Sequence, residues 1–328
     1  MKRALITGVF GQDGSYLSEL LSEDGYEVHG IARTPLSEHA KAVSAHLHAK
    51  GMRPVLHECD LSDAVRVSAV IETVRPDECY HLAAAHYPSE VSAAVGRLAE
   101  SAGYVWNVAS AVNVLTACAH ASPETRIVLA GSCLVWAATT ETPQRETMPF
   151  VPASLYGFAK ASVAKLARYF REGCGLHVSV AILYNHESPR RRNEFVSKKI
   201  VRSLTAVRRG ESAGFEIDNV YSVRDWGYAR DYANGMRLMC RQAVPRDLIL
   251  STGTARSVGE FLGVAAELAG IPDWQRYVKV RRVAPTAMPA ALVGDPTVAM
   301  TVLGWRHSTS FRELIALMLA CEERGSLD

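Results

Sequence analysis

The chain has 328 residues, 48% hydrophobic and 21% charged, enough for a large buried core in one bilobed unit or two tightly joined domains. Its formal net charge of +2, with no basic run beyond Arg190 to Arg192, gives no ground for a nucleic-acid or membrane-surface partner. The seven cysteines are widely spaced and form no C-x-x-C pair, which excludes a disulfide framework and a zinc site and leaves no metal expected.

In chain order, Met1-Lys-Arg-Ala-Leu-Ile-Thr opens directly as a strand with no apolar secretory region. The Ala/Val-rich stretch from Val91 to Cys118 is interrupted by Arg97 and Glu100, so no membrane span and a cytoplasmic protein are expected. Short β-rich runs recur at Arg3 to Ile6, Glu27 to Ile31, Pro54 to Glu58, Glu78 to Leu82, Ile127 to Ala130 and Val178 to Leu183, with helical patterns between them. That rhythm predicts βαβ units: an α/β, Rossmann-like doubly wound parallel sheet over residues 1–185, rejoined by part of 219–255. From about residue 186 to 328 arginine-rich turns and shorter elements predict a smaller substrate-binding lobe beside the sheet.

Gly8, Gly11 and Gly14 form G-x-x-G-x-x-G between the first strand and the helical run Tyr16 to Leu21. Glycine there permits a tight turn and close approach of a pyrophosphate, and a helix N-terminus offers free N–H groups to it. After the second strand, where an acidic residue would select NAD, stands Arg33, which favours NADP, with NAD as the alternative and a solvated surface arginine as the plain one. Asp60 and Leu61 follow the third strand; Asp60 suits either an adenine edge or a helix N-cap.

Tyr156 and Lys160 lie four apart, on one helix face. A phenol titrates near ~10, and an adjacent ammonium favours its phenolate, which makes the pair a usable base for a hydroxyl proton. Ser132, just past the strand ending at Ala130, is placed to hold the same oxygen.

With these residues in hand, the chain resembles the extended short-chain dehydrogenase/reductases and, within them, the GDP-mannose 4,6-dehydratase family. The likeness rests on Gly11-Gln-Asp-Gly-Ser-Tyr-Leu17, on Asn185-His-Glu-Ser-Pro-Arg-Arg191, on Lys199-Ile200, on Arg224-Asp-Trp-Gly227 with Asp231-Tyr232, and on Gly294-Asp-Pro296 with Leu303-Gly-Trp305. It implies cofactor contacts from Gln12, Asp13, Leu82, Ala83, Leu183 and His186 beside the glycines, and a homo-oligomer, dimer or tetramer. It also implies a GDP-sugar substrate held by Asn185, Val196, Lys199, Asn219 and Arg224, joined by His86 and Ser132. Arg190 to Arg192 read either as ligand contacts or as a solvated or interface turn.

Three departures stand out. The family's Thr-Ser-Glu step reads Ser132-Cys133-Leu134, closer to the Ser-x-x pattern of nucleotide-sugar 4-epimerases; its Arg-Pro-Thr-Glu-Val-Asp segment reads Ala284-Pro-Thr-Ala-Met288, with Arg281 or Arg282 as replacements; its Arg-Arg reads Arg33-Thr34. Oxidation at the sugar C4 needs no carboxylate, whereas dehydration needs the C5 proton removed and the C6 hydroxyl protonated, which Leu134 cannot do. A C4 epimerase or oxidoreductase is therefore expected first. Two readings stand beside it: a dehydratase whose base has moved to His86 or Tyr87, and a non-catalytic nucleotide-binding protein on the same fold.

Overall fold

The structure, a computed structural model, describes residues 1–86, 89–281 and 291–328, with the backbone alone for 89–97. Tyr87, Arg282 and the stretch Ala284 to Met288 lie outside the described residues. Strands β1 (Arg3–Thr7), β2 (Glu27–Ala32), β3 (Val55–Glu58), β4 (Glu78–His81), β5 (Arg126–Ala130) and β6 (Val178–Leu183) alternate with helices α1 (Gln12–Glu23), α2 (Glu38–Ala49), α3 (Ala64–Val74), α4 (Ser89–Ala121) and α5 (Leu155–Cys174). The chain continues through β7 (Asn185–Glu187), α6 (Val196–Arg208), β8 (Phe215–Ile217), β9 (Val223–Tyr228), α7 (Ala229–Cys240) and β10 (Leu248–Leu250). It closes with β11 (Ala255–Ser257), α8 (Val258–Leu268), β12 (Val278–Val280), α9 (Thr297–Leu303) and α10 (Phe311–Arg324).

Seven strands form one sheet in the order β10-β6-β5-β4-β1-β2-β3, every neighbouring pair parallel. β6, an almost wholly apolar run, and β4, which carries Glu78 and His81, are buried throughout, as helices on both faces require, while the edge strand β3 is mostly exposed. This is the α/β doubly wound sheet expected, with β10 as a seventh strand that the sequence pattern did not single out. Pro54 falls outside β3 because it has no N–H for the ladder. The larger difference is at α1, which begins at Gln12 rather than Tyr16, so that Gly14 sits inside the helix.

Two hydrophobic clusters organise the chain. The first wraps the sheet and takes in Ala229, Tyr232 and Met236 of α7 with Leu248 to Leu250 of β10, so the chain returns to the sheet after leaving it. The second joins α6, β8, β9, α8 and α10 through Leu204, Ile217, Trp226, Phe261, Leu314 and Met318. Among the described residues no helix is long and apolar enough to cross a membrane. The sheet order changes direction beside β1, and it is at the carboxyl ends of β1, β4, β5 and β6 that a cleft opens, the position expected for a ligand in such a sheet.

Candidate active site

The turn after β1 is shaped by what it cannot hold. Gly8 adopts φ +73°, and a Cβ on Gly14 would lie 2.3 Å from the Gly8 carbonyl oxygen and 2.8 Å from Val9 Cα, so the first turn of α1 packs directly on the strand end. Gly11 caps α1 with its N–H on the Gly8 carbonyl at 2.8 Å. Thr7 Oγ1 accepts the N–H groups of Leu82 at 3.1 Å and Ala83 at 3.2 Å, which holds the loop after β4 against the turn. The cradle is built largely of backbone.

Gln12 and Asp13 are engaged by a segment far along the chain. The Gln12 amide donates to the His186 carbonyl at 3.0 Å and accepts from Ser188 Oγ at 2.8 Å. Asp13 meets His186 Nε2 at 3.0 Å. Burial opposes charge on both, but the pairing outweighs it: the Asp13 carboxyl is held below its ordinary value and the His186 imidazole above its own. His186 also stacks on Tyr232, with ring centroids 4.9 Å apart.

Arg190, read as a ligand contact or as part of a solvated or interface turn, is fully buried, its guanidinium 2.5 Å from Glu19, 2.7 Å from Asp328 and stacked 3.9 Å above the Tyr16 ring. Arg191 stacks 3.6 Å over Phe195, and its Nε lies 3.0 Å from Glu187 without hydrogen-bond alignment. Arg192 is exposed and donates to the His86 carbonyl at 3.2 Å.

The cleft itself encloses about 660 Å³. Ser132, Leu134, Tyr156, Lys160, Asn185 and Arg224 all line it, as do Asp13, Leu82, His86, Leu183, His186, Val196 and Asn219. Lys199, one turn along α6 from Val196, does not, and neither do Gln12, Arg33, Asp60, Leu61 or Ala83, which lie towards the glycine turn and the ends of β2, β3 and β4. Ser132 caps the short 3-10 turn after β5, its Oγ accepting the Leu134 N–H at 3.2 Å. Ser154 caps α5, Oγ to Gly157 N–H at 3.1 Å, and so fixes where Tyr156 and Lys160 emerge.

The tyrosine and lysine are brought together as their spacing requires, Lys160 Nζ lying 5.6 Å from the Tyr156 ring centroid. Their electrostatics differ from expectation. Lys160 Nζ donates to the Ala130 carbonyl at 2.7 Å, and burial pushes it down to about 8. Burial, with the neighbouring Cys133 thiol and Asp13, raises the Tyr156 phenol above its ordinary value, and Lys160 does not offset this. The reason is geometric: the ammonium is committed to the carbonyl at the end of the interior strand β5 rather than to the phenol oxygen.

His86 packs edge-on against Tyr156, centroids 4.2 Å apart, and parallel to Phe195 at 5.8 Å. Burial and the positive charges of Arg191, Lys160 and Arg192 push it down to about 3, so the ring is neutral, and its buried Nδ1 has no hydrogen-bond partner among the described residues. A ring so reluctant to take a proton is a poor replacement for a carboxylate base. Arg224 donates to the Val223 carbonyl at 2.8 Å, and its other donors meet no described acceptor. Asn219 turns its amide on Ser222 at 3.1 Å and accepts the Tyr221 N–H at 2.8 Å.

Several contributors escaped the motif reading. Asn107 on α4 clamps Ala85 with two 2.9 Å hydrogen bonds, and Ser110, one turn on, lies 3.4 Å from the buried His81 ring. Polar residues one turn apart in an Ala/Val-rich stretch of helix were the available signal. Phe195 gave none.

The family described as GDP-mannose 4,6 dehydratase matches residues 5–318. A GDP-mannose 4,6-dehydratase of Sinorhizobium fredii is 35% identical, covering 98% of this chain and 95% of its own. GDP-mannose 4,6 dehydratase 1 of Arabidopsis thaliana is 36% identical over 97% and 89%. Among solved structures, UDP-glucose 4-epimerase of Thermotoga maritima with UDP-glucose superposes with a TM-score of 0.82 at 20% identity, covering 98% and 99%. RMD from Pseudomonas aeruginosa complexed with NADPH superposes at 0.78 and 19%, covering 99% and 100%; at such identities the likeness is one of fold. The chain is a nucleotide-sugar enzyme of the extended short-chain dehydrogenase/reductases and belongs to the GDP-mannose 4,6-dehydratase family.

Proposed function

We propose that this chain is an NADP-dependent C4 oxidoreductase of a GDP-linked sugar that inverts C4 through a transient 4-ketone and does not eliminate water. The observation that carries this reading is Leu134, a hydrocarbon lining the same cleft as Ser132, Tyr156 and Lys160. The dinucleotide fits the residues present: a Cβ-free cradle at Gly8, Gly11 and Gly14, open N–H groups at the start of α1, and Arg33 and Asp60 at the ends of β2 and β3. Bound there, it supplies the hydride acceptor and donor.

Tyr156, once ionised to its phenolate, takes the proton of the C4 hydroxyl and later returns it, while Ser132 donates to the same oxygen. Lys160, fixed by the Ala130 carbonyl, keeps a positive charge in the site. Arg224, Asn185 and the start of α6 hold the nucleotide diphosphate, whose charge matches the uncommitted donors of Arg224. The carboxylates lining the described cleft are Asp13, Glu100, Glu194 and Asp218. Asp13 is committed to His186 and Glu194 is exposed, so neither replaces a carboxylate at position 134.

The second reading, a dehydratase with a relocated base, is favoured by the names of relatives 35% and 36% identical. Incubation with GDP-mannose and related GDP-sugars, including larger ones, separates the readings by product mass and NMR. Equal mass with inverted C4 supports the proposal, loss of water supports the second reading, and binding without turnover supports a non-catalytic protein. We also propose a homo-oligomer, dimer or tetramer, because Leu98 and Val105 on α4 and Phe158 and Tyr169 on α5 are apolar groups left exposed on two helices that pack together.

A further inference from the structure

Trp106, a half-buried indole on α4, lies far from Tyr156 in sequence and takes no part in the chemistry above. Its Nε1–H donates to Asp60 Oδ1 at 3.0 Å. The same oxygen already accepts Ser62 N–H at 2.9 Å and Ser62 Oγ at 2.8 Å, so Oδ1 is saturated while Oδ2 has no described partner. These hydrogen bonds, that of the Ser62 backbone foremost, keep the carboxyl ionised below its ordinary value. Seven residues along the same helix face, Asn113 Nδ2 donates to the Leu61 carbonyl at 2.9 Å, so α4 fastens the loop after β3 at two successive points.

The ring face of the indole is used as well. The Arg33 guanidinium, at the end of the adjacent strand β2, sits 5.9 Å from the Trp106 ring, within cation–π range. Arg33 is exposed and donates no hydrogen bond to any described residue. One tryptophan thus joins a carboxylate with one open oxygen to a guanidinium with open donors.

We infer that Trp106 is a specificity-determining residue for the adenosine end of the dinucleotide, holding Asp60 towards an amino group and Arg33 towards a phosphate on the ribose. This rests on the proposed cofactor. The indole N–H serves Asp60 and is indifferent to the ribose substituent; the ring face serves Arg33 and discriminates by charge. The two roles separate by substitution.

Dissociation constants for NADP and NAD are measured by calorimetry on the whole protein for the wild type, Arg33→Ala, Trp106→Phe and Trp106→Leu, each checked for a cooperative thermal transition. Trp106→Phe keeps an aromatic face without the N–H, so both cofactors weaken by a similar factor of about 3–10 and their ratio holds. Trp106→Leu lowers the NADP-to-NAD preference by about tenfold, towards the ratio of Arg33→Ala. The double variant Arg33→Ala/Trp106→Leu shows no further drop in ratio. An unchanged ratio in Trp106→Leu, with the wild type binding NADP, overturns this inference and leaves the cofactor reading standing. A wild type that binds neither dinucleotide overturns the cofactor reading itself, and this inference with it.

Discussion

The two ends of the cleft are made in different ways. At the α1 end the surface offered is backbone: three glycines, helix N–H groups and a loop pinned by Thr7, with Gly14 excluding even a methyl group. At the Leu134 end the surface is made of side chains on short loops, and His86 and Arg224 keep polar atoms that no described residue engages. Backbone recognition tolerates little change and preserves the family's cofactor chemistry. On the proposed reading, a side-chain surface is where one residue, Leu134 in place of a carboxylate, would redirect the reaction while the fold stays intact.

The comparison breaks first at the tyrosine. Tyr156→Phe should lower kcat by about 10²–10⁴-fold while the dinucleotide dissociation constant moves less than about threefold. A steady-state assay beside a binding titration reads both; retention of turnover would remove the phenol from the chemistry. Next comes the cradle: Gly14→Ala forces a methyl group against the Gly8 carbonyl and should destabilise the protein by roughly 1–3 kcal/mol and abolish measurable dinucleotide binding. Gly11→Ala, whose Cβ would stand 3.1 Å from the same oxygen, should be milder in urea titrations.

At the other end, Leu134→Glu should leave dinucleotide binding unchanged and bring a dehydrated product above the wild-type level, by about tenfold or more. Mass spectrometry detects it, and an L134E variant with no such product would mean that more than this residue has been lost.

A further test concerns the stability cost of Lys160. Its folded value of about 8 lies below the ordinary 10.5, so between those pH values the unfolded chain binds more protons and wild-type stability rises with pH. Lys160→Met should therefore be more stable than wild type at pH 7, by up to roughly 3 kcal/mol, with the gap closing across that window in urea midpoints. Its turnover should nevertheless fall.

What could be read from the sequence divides along the same line. The glycine turn, the Tyr156–Lys160 helix face and the Asn185 to Arg191 run are local spacings, and the sheet follows from alternating apolar runs. Pairings across the chain were hidden: Asp13 with His186, Arg190 with Glu19 and Asp328, and Trp106 with Asp60 join segments whose spacing carries no trace of contact. The direction of Lys160 was hidden too, because helix periodicity says which residues share a face and not which neighbour an ammonium will choose.

The central claim, that position 134 leaves the sugar C5 hydrogen untouched, is tested most directly in heavy water. Purified protein is incubated there with NADP and the GDP-sugar that it turns over, and deuterium in the product is located by NMR. We predict a C4-inverted sugar with protium at both C4 and C5. Deuterium at C5, or a 4-keto-6-deoxy product, would contradict it.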